Sequence, residues 1–129
     1  MIIEVMRRIL GNMYHVPGNM LTGMDWEYWE TRVRCGLPLD DMPVFQKQEG
    51  YFAYKAVIAD KNGVFSGIKI PKAFDKYQYK EYWLKNIGYI VENHQSDPLG
   101  FLFFIFSSNE EMKESLIDRY NEFEVIIDD

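Results

Sequence analysis

The sequence has little cysteine and little histidine. Cys35 is the one cysteine among 129 residues, and His15 and His94 are the two histidines. One cysteine cannot form an internal disulfide, and isolated histidines do not supply the closely spaced ligand sets that hold metals. We therefore expect no metal, no cofactor and no disulfide, which favours the cytoplasm as the compartment.

Long hydrophobic runs are missing as well. The longest, from Leu99 to Phe106, is far shorter than the roughly 20 residues that cross a membrane. Near the amino terminus, Arg7 and Arg8 interrupt the apolar residues instead of preceding them, unlike the charges of a secretory signal. We expect a soluble protein without a membrane partner. Its 129 residues fit a single domain, 1–129, with one core.

The sequence also lacks the motifs of known active sites. Its glycines form no phosphate-binding loop. The acid pairs Asp40-Asp41 and Glu110-Glu111 are adjacent, so their side chains point apart on any regular element. We therefore predict no catalytic residue and a protein that is not an enzyme.

An enzyme stays the alternative. Arg32 and Arg34 flank the approach to Cys35 in "RVRCGLP" and could lower the pKa of its thiol, with His15 or His94 as the base. A lone cysteine at a helix end is more often inert. If Cys35 or a carboxylate is catalytic nevertheless, the protein is a small hydrolase or transferase with an aromatic pocket lined by tyrosines.

Negative charge is concentrated at the carboxyl-terminal end. From residue 108 to residue 129, eight carboxylates stand against Lys113 and Arg119, which equals the whole formal charge of −6. Such a field attracts positively charged partners and repels nucleic-acid phosphates. The other interpretation is a solvated helix face with a polar tail. The predicted partner-binding residues are Glu110, Glu111, Glu114, Asp118, Glu122, Asp128 and Asp129.

A group of lysines in the middle of the chain is the one feature that favours nucleic acid. The group is Lys69, Lys72, Lys76, Lys80 and Lys85, beside Tyr77 and Tyr79. Five lysines without clustered arginines or an aromatic platform make a modest basic footprint. We therefore predict no direct nucleic-acid binding, and the oligomeric state stays open.

Apolar spacing and turn residues predict the elements of the first half. A helix over 2–14 is ended by "VPGN", residues 16–19, and a second helix runs over about 24–35. Residues 51–70 alternate in a strand pattern around Asn62-Gly63, the dipeptide typical of a tight turn. This pattern predicts a β-hairpin.

The second half contains the aromatic stretch "FDKYQYKEYWLKNIGYIVEN", residues 74–93. Its spacing predicts one helix, with a capping box formed by Asp75 and Gln78. The core face predicted for this helix consists of Tyr79, Trp83, Ile87, Ile90 and Val91.

A continuous apolar run over 99–106 predicts a central strand that is buried on both faces. Ser108 and Glu111 offer a capping box for a further helix, and "EVIID" near the end fits an edge strand. The predicted fold class is α+β, with a small, mainly antiparallel sheet packed with three to four helices. The hairpin 51–70 and the central strand 99–106 form that sheet.

Residues 70–87, "IPKAFDKYQYKEYWLKNI", resemble a segment of bacterial contact-dependent growth inhibition immunity proteins. In those proteins a strand ends at a proline, and the next helix begins with an aspartate-tyrosine-lysine pattern followed by a tryptophan. Gln78 replaces the acid here, and the spacing from proline to tyrosine is one residue shorter. The matching residues are Pro71, Phe74, Tyr79, Lys80, Trp83 and Lys85.

The resemblance implies an immunity protein that binds a cognate toxin domain, often a nuclease. It would neutralise the toxin by occluding its active site or substrate path. A nuclease has a basic cleft for phosphate, so the acidic end of this chain would attract it and speed the encounter. A further alternative is a phage or mobile-element inhibitor of a host defence protein.

Overall fold

The computed structural model describes residue 11, residues 13–119 and residues 122–129. The chain divides into two compact units, Met1–Glu49 and Gly50–Asp129. The single domain that we expect from the sequence stays a prediction. Of the helix predicted over 2–14, residues 2–10 and 12 lie outside the described part.

The described part of the first unit contains two α-helices. The helix α1 spans His15–Thr22 and α2 spans Trp26–Arg34. The prediction that residues 16–19 end a helix is wrong, because they lie inside α1. Pro17 stands in the first turn, where a missing N–H breaks no helical hydrogen bond. The helix ends instead at Gly23, which has a left-handed φ of 66°.

The prediction of a helix over about 24–35 is confirmed by α2. Asp25 caps it, since its side chain accepts a hydrogen bond from the backbone N–H of Tyr28 at 2.9 Å. Trp29 is buried, and the guanidinium of Arg32 lies over its ring, 5.1 Å from the centroid. A hydrogen bond of 2.9 Å from the indole of Trp26 to Thr22 joins α2 to α1.

Over its described residues, the second unit contains six strands in two antiparallel sheets. In chain order they are β1 (Tyr51–Val57), β2 (Gly63–Lys69), β3 (Gln78–Trp83), β4 (Ile90–Val91), β5 (Gly100–Phe106) and β6 (Glu124–Asp128). One sheet has the order β1-β5-β3 and the other has the order β4-β2-β6. The α+β class is confirmed, whereas the single small sheet is replaced by two three-stranded sheets. The three to four helices packed on it are not confirmed.

The predicted hairpin over 51–70 is wrong in its pairing. Both strands exist, but β1 pairs with β5 and β2 pairs with β4 and β6. The Asn62 side chain donates to the carbonyl of Glu92 at 2.7 Å, and its oxygen accepts from the backbone N–H of His94 at 3.0 Å. These contacts hold Asn62 beside residues 92–94, so the turn leads β2 into the other sheet.

The single helix predicted over 74–93 is also wrong. This stretch holds the end of a short 3-10 turn, Lys72–Phe74, followed by β3 and β4. Tyrosine and tryptophan suit a strand as well as a helix, and pairing with β5 decides between the two. As a result Tyr79 is 60% exposed and Ile87 is 73% exposed, although both were predicted to be core. The expected capping box of Asp75 and Gln78 is absent for the same reason.

The strand β5 is the centre of the core, as predicted. Residues on both of its faces are buried, and it has a neighbour on each side. Leu102, Phe104 and Phe106 belong to one continuous cluster with Phe74 and other apolar residues. Each fully buried phenylalanine contributes about 1.5–3 kcal/mol through removal of its surface from water. This cluster holds the two sheets of the second unit together.

The carboxyl-terminal elements follow the prediction more closely. A third helix, α3, spans Asn109–Lys113, and Ser108 caps it by accepting from the backbone N–H of Glu111 at 3.1 Å. The carboxylate of Glu111 accepts from the backbone N–H of Ser107 at 3.2 Å, close to the predicted capping box. A π-helical turn, Glu114–Asp118, comes next. The edge strand predicted from "EVIID" is confirmed by β6.

Candidate functional site

Two of the predicted partner-binding acids, Asp128 and Asp129, already have partners within the chain. The ammonium of Lys61 lies 2.6 Å from a carboxylate oxygen of Asp129. The hydrogen bond from Lys61 holds the pKa of Asp129 below its ordinary value. Asp128 accepts a hydrogen bond from the hydroxyl of Ser66 on the neighbouring strand. These two carboxylates therefore fasten β6 to β2 and its preceding turn.

Glu122 and Glu111 are also engaged inside the chain. Arg119 donates two hydrogen bonds to Glu122, at 2.7 and 2.5 Å, and thereby lowers the pKa of that carboxyl. Glu111 accepts from the backbone N–H of Ser107 and, at 3.3 Å, from the hydroxyl of Tyr77. A partner would have to compete with these bonds for either carboxylate.

Three of the predicted acids remain available as a group. Glu110, Glu114 and Asp118 are exposed and follow one another at intervals of four residues along α3 and the π-helical turn. Such spacing places side chains on one side of a helix. Within the described ranges none of the three forms an ion pair. We call these residues the acidic ridge.

A small polar hollow of about 320 Å³ lies beside the acidic ridge. It brings together two cations and two carboxylates, so its charges largely balance. The Lys76 ammonium lies 4.4 Å from the centroid of the Tyr77 ring, and Arg119 is held by Glu122. Its lining includes Lys76, Tyr77, Glu111, Glu114, Ser115 and Arg119.

A larger hollow, the apolar cleft, was missed by the sequence interpretation. Its volume is about 610 Å³, and its lining includes Phe65, Ile68, Glu81, Trp83, Lys85 and Ile87. A helix over 74–93 would put Trp83 and Glu81 on opposite sides. In a strand, alternate residues face the same side, so both reach the cleft. The alternation of Glu81, Trp83 and Lys85 was the signal that could have shown it.

The two histidines of the enzyme alternative contact other residues. Cys35 is exposed and has a free thiol at the end of α2. His15 contacts Glu27 at 2.6 Å, and the Nδ1 of His94 contacts Asn62 at 2.8 Å. In the part of the chain that the structure describes, no three His, Cys, Asp or Glu residues form a group that could hold a metal ion.

Comparisons with known proteins give structural neighbours only. No family model and no curated protein matches the sequence. The structure is similar to phosphoribosylglycinamide synthetase from Anaerococcus prevotii, with a TM-score of 0.62 and 15% identity over 91% of this chain. It is also similar to L-amino acid ligase from Bacillus licheniformis, with a TM-score of 0.69 and 16% identity over 95% of this chain.

These neighbours show the fold and are both enzymes. This chain spans 31% of the length of either structure. The prediction that the chain is not an enzyme therefore gains no support from them.

Among the described residues, no helix is long and apolar enough to cross a membrane.

Proposed function

We propose that this chain is a module of an amide-forming ligase that acts on substrates of the amino-acid type. The observation that carries the proposal is the likeness to two ligase structures over 91% and 95% of the chain. One neighbour is named for a glycinamide and the other for L-amino acids. Both names point to amino-acid substrates joined to a second molecule.

Because the chain spans 31% of the length of either neighbour, we propose that it performs only part of the ligase reaction. An amide does not form spontaneously from a carboxylate and an amine in water. A ligase therefore couples the reaction to cleavage of a nucleoside triphosphate and holds both reactants in place. Of these tasks, the apolar cleft suits the binding of a small reactant, because its volume lies in the usual range of ligand pockets.

Phosphate release tests this proposal. The protein is produced at the full length that its gene encodes, and is supplied with ATP, Mg²⁺ and mixtures of the twenty amino acids. We expect phosphate release that depends on the amino acids. Omitting ATP or the amino acids provides the controls. Release that is the same with and without amino acids, or no release at all, contradicts the proposal.

The acidic ridge favours a second candidate, the immunity protein that the sequence resemblance implies. Glu110, Glu114 and Asp118 form an exposed negative row, which suits the basic cleft of a nuclease toxin. The other four predicted acids are held by internal bonds, so the proposal now rests on these three. An inhibitor of a host defence protein would use the same surface.

Titration against a toxin domain encoded next to this gene tests the second candidate. The triple variant Glu110→Gln, Glu114→Gln, Asp118→Asn should bind more weakly than the wild type, and the loss should shrink at high salt. Glu92→Gln, which removes one exposed acid elsewhere, is the control. Equal binding of the triple variant and the wild type at low salt contradicts this candidate.

A further inference from the structure

The apolar cleft has a fixed aromatic floor. Phe65 is 3% exposed, and its ring centroid lies 6.0 Å from that of Trp83, with 32° between the two planes. The Trp83 indole rests directly on Gly100, where a Cβ atom would come within 2.7 Å of a ring carbon. The indole therefore has little freedom to move toward β5, and it also lines the cleft.

The wall of the cleft is held by backbone hydrogen bonds. The N–H of Phe65 donates to the carbonyl of Tyr89 at 2.9 Å, and the N–H of Gly88 donates to the carbonyl of Phe65 at 2.7 Å. The N–H of Lys85 donates to the carbonyl of Leu99 at 3.1 Å. These bonds hold both ends of the segment that carries Ile87.

The positive charge in the cleft lining, that of Lys85, is paired within the chain. The ammonium of Lys85 lies 3.5 Å from Asp97 and 4.0 Å from the centroid of the Tyr89 ring. The hydroxyl of Tyr89 donates to the carboxylate of Asp97 at 2.6 Å, which completes the group. Contacts with Tyr89 and Asp97 raise the pKa of Lys85, so its ammonium stays charged and committed to them.

The carboxylate of Glu81 has no comparable partner. Among the contacts found for the described residues, it accepts one long hydrogen bond of 3.4 Å from the side chain of Gln78. Glu81 is exposed and lines the cleft two residues before Trp83. The lining thus offers aromatic and aliphatic surface together with one negative charge, and the faces of aromatic rings also attract cations.

We propose that the apolar cleft binds a small organic amine with a hydrophobic group. The hydrocarbon part lies on Phe65, Trp83 and Ile87, and the ammonium lies against the carboxylate of Glu81. The volume of about 610 Å³ accommodates such a molecule. This inference rests on the cleft alone and goes beyond the proposed function, although an amine is also one of the two reactants of an amide-forming ligase.

Three probes of similar size and different charge test the inference. They are 2-phenylethylamine, 2-phenylethanol and 3-phenylpropionate, titrated into the ¹⁵N-labelled protein while the indole N–H signal of Trp83 is followed. We expect the amine to bind about two- to fivefold more tightly than the alcohol, as for an exposed ion pair. The propionate should bind most weakly, and added salt should weaken the amine alone.

Two variants locate the site. Glu81→Gln should abolish the preference for the amine while the alcohol binds as before, whereas Glu92→Gln, at an exposed acid outside the cleft lining, should change neither. Ile87→Lys replaces a side chain that is 73% exposed, so folding is spared, and it should weaken the amine more than the alcohol. The inference is overturned by equal binding of amine and alcohol, by no binding of any probe, or by an amine preference that survives in Glu81→Gln.

Discussion

Gly100 shows how one residue can position a side chain in the apolar cleft. It is buried at the start of β5, and a Cβ atom there would lie 2.7 Å from a ring carbon of Trp83 and 2.8 Å from the carbonyl oxygen of Tyr82. Both distances are too short for ordinary packing. No pattern in the sequence indicated this contact, because the close approach depends on the pairing of β3 with β5.

Gly100→Ala should therefore destabilise the protein. Overpacking of this kind costs roughly 1–3 kcal/mol, because the ring or the strand must shift. Urea unfolding followed by circular dichroism measures the change. Gly18→Ala is the matched control, since the nearest atom to its Cβ would lie 4.0 Å away and the residue sits within α1. An alanine at position 100 that is as stable as the wild type would show that the strands are not packed as described.

Glu122 shows the effect of pairing on a single titration. Because the hydrogen bonds from Arg119 hold the pKa of this carboxyl below its ordinary value, ionised Glu122 stabilises the folded state. That contribution is present above the ordinary pKa of a glutamate and is lost as the pH falls through the folded-state pKa.

The variant Glu122→Gln should accordingly lose stability near neutral pH and show a smaller decline than the wild type below about pH 4.3. Urea midpoints measured between neutral and acidic pH give the comparison. A Glu122→Gln curve parallel to that of the wild type would mean that the pair with Arg119 does not form in solution.

At the scale of the element, the sequence predicts whole elements where one local signal dominates. The capped start of α3, the helix α2 and the buried strand β5 were all recognisable from caps and apolar runs. Residues 74–93 were not, because tyrosine and tryptophan spaced for a helix also suit an edge strand. Pairing of β3 with β5 decides between helix and strand. This contact joins distant parts of the chain, so no local sequence pattern indicates it.

The cap of α3 gives a test at the level of one element. The hydroxyl of Ser108 accepts from the backbone N–H of Glu111, which would otherwise lack a helical partner. Ser108→Ala should cost about 1 kcal/mol of unfolding free energy. Chemical denaturation measures the loss, with Ser108→Asp expected to retain most of the stability. Ser107→Ala is the neighbouring control, and equal losses in the two alanine variants would argue against the cap.

At the scale of the whole molecule, several of the carboxylates that contribute to the net charge of −6 are paired within the chain. These carboxylates are less available to a partner protein. The sequence located the acids but not their partners, because the contact between Lys61 and Asp129 joins residues 68 positions apart. Such pairing follows from strand order, which the predicted hairpin had wrong. The interpretation of the sequence therefore overestimated the acidic surface and missed the apolar cleft.

The likeness to solved structures bears on the proposed function. A resemblance over residues 70–87 led to the immunity hypothesis, and the helix that it implied is a strand in the structure. The likeness to ligases covers nearly all of the chain at 15–16% identity. At that identity the shared feature is the arrangement of strands and helices, which explains why no sequence motif suggested a ligase.

Detection of the joined product tests the central claim most directly. The full-length gene product is incubated with ATP, Mg²⁺ and ¹⁵N-labelled amino acids, and mass spectrometry is used to search for a new labelled amide. The account predicts a labelled condensation product, one water lighter than its two reactants, that forms only when ATP and the protein are both present. If ATP is consumed without any such product, or no product forms with any amino acid, the proposal of a ligase is contradicted.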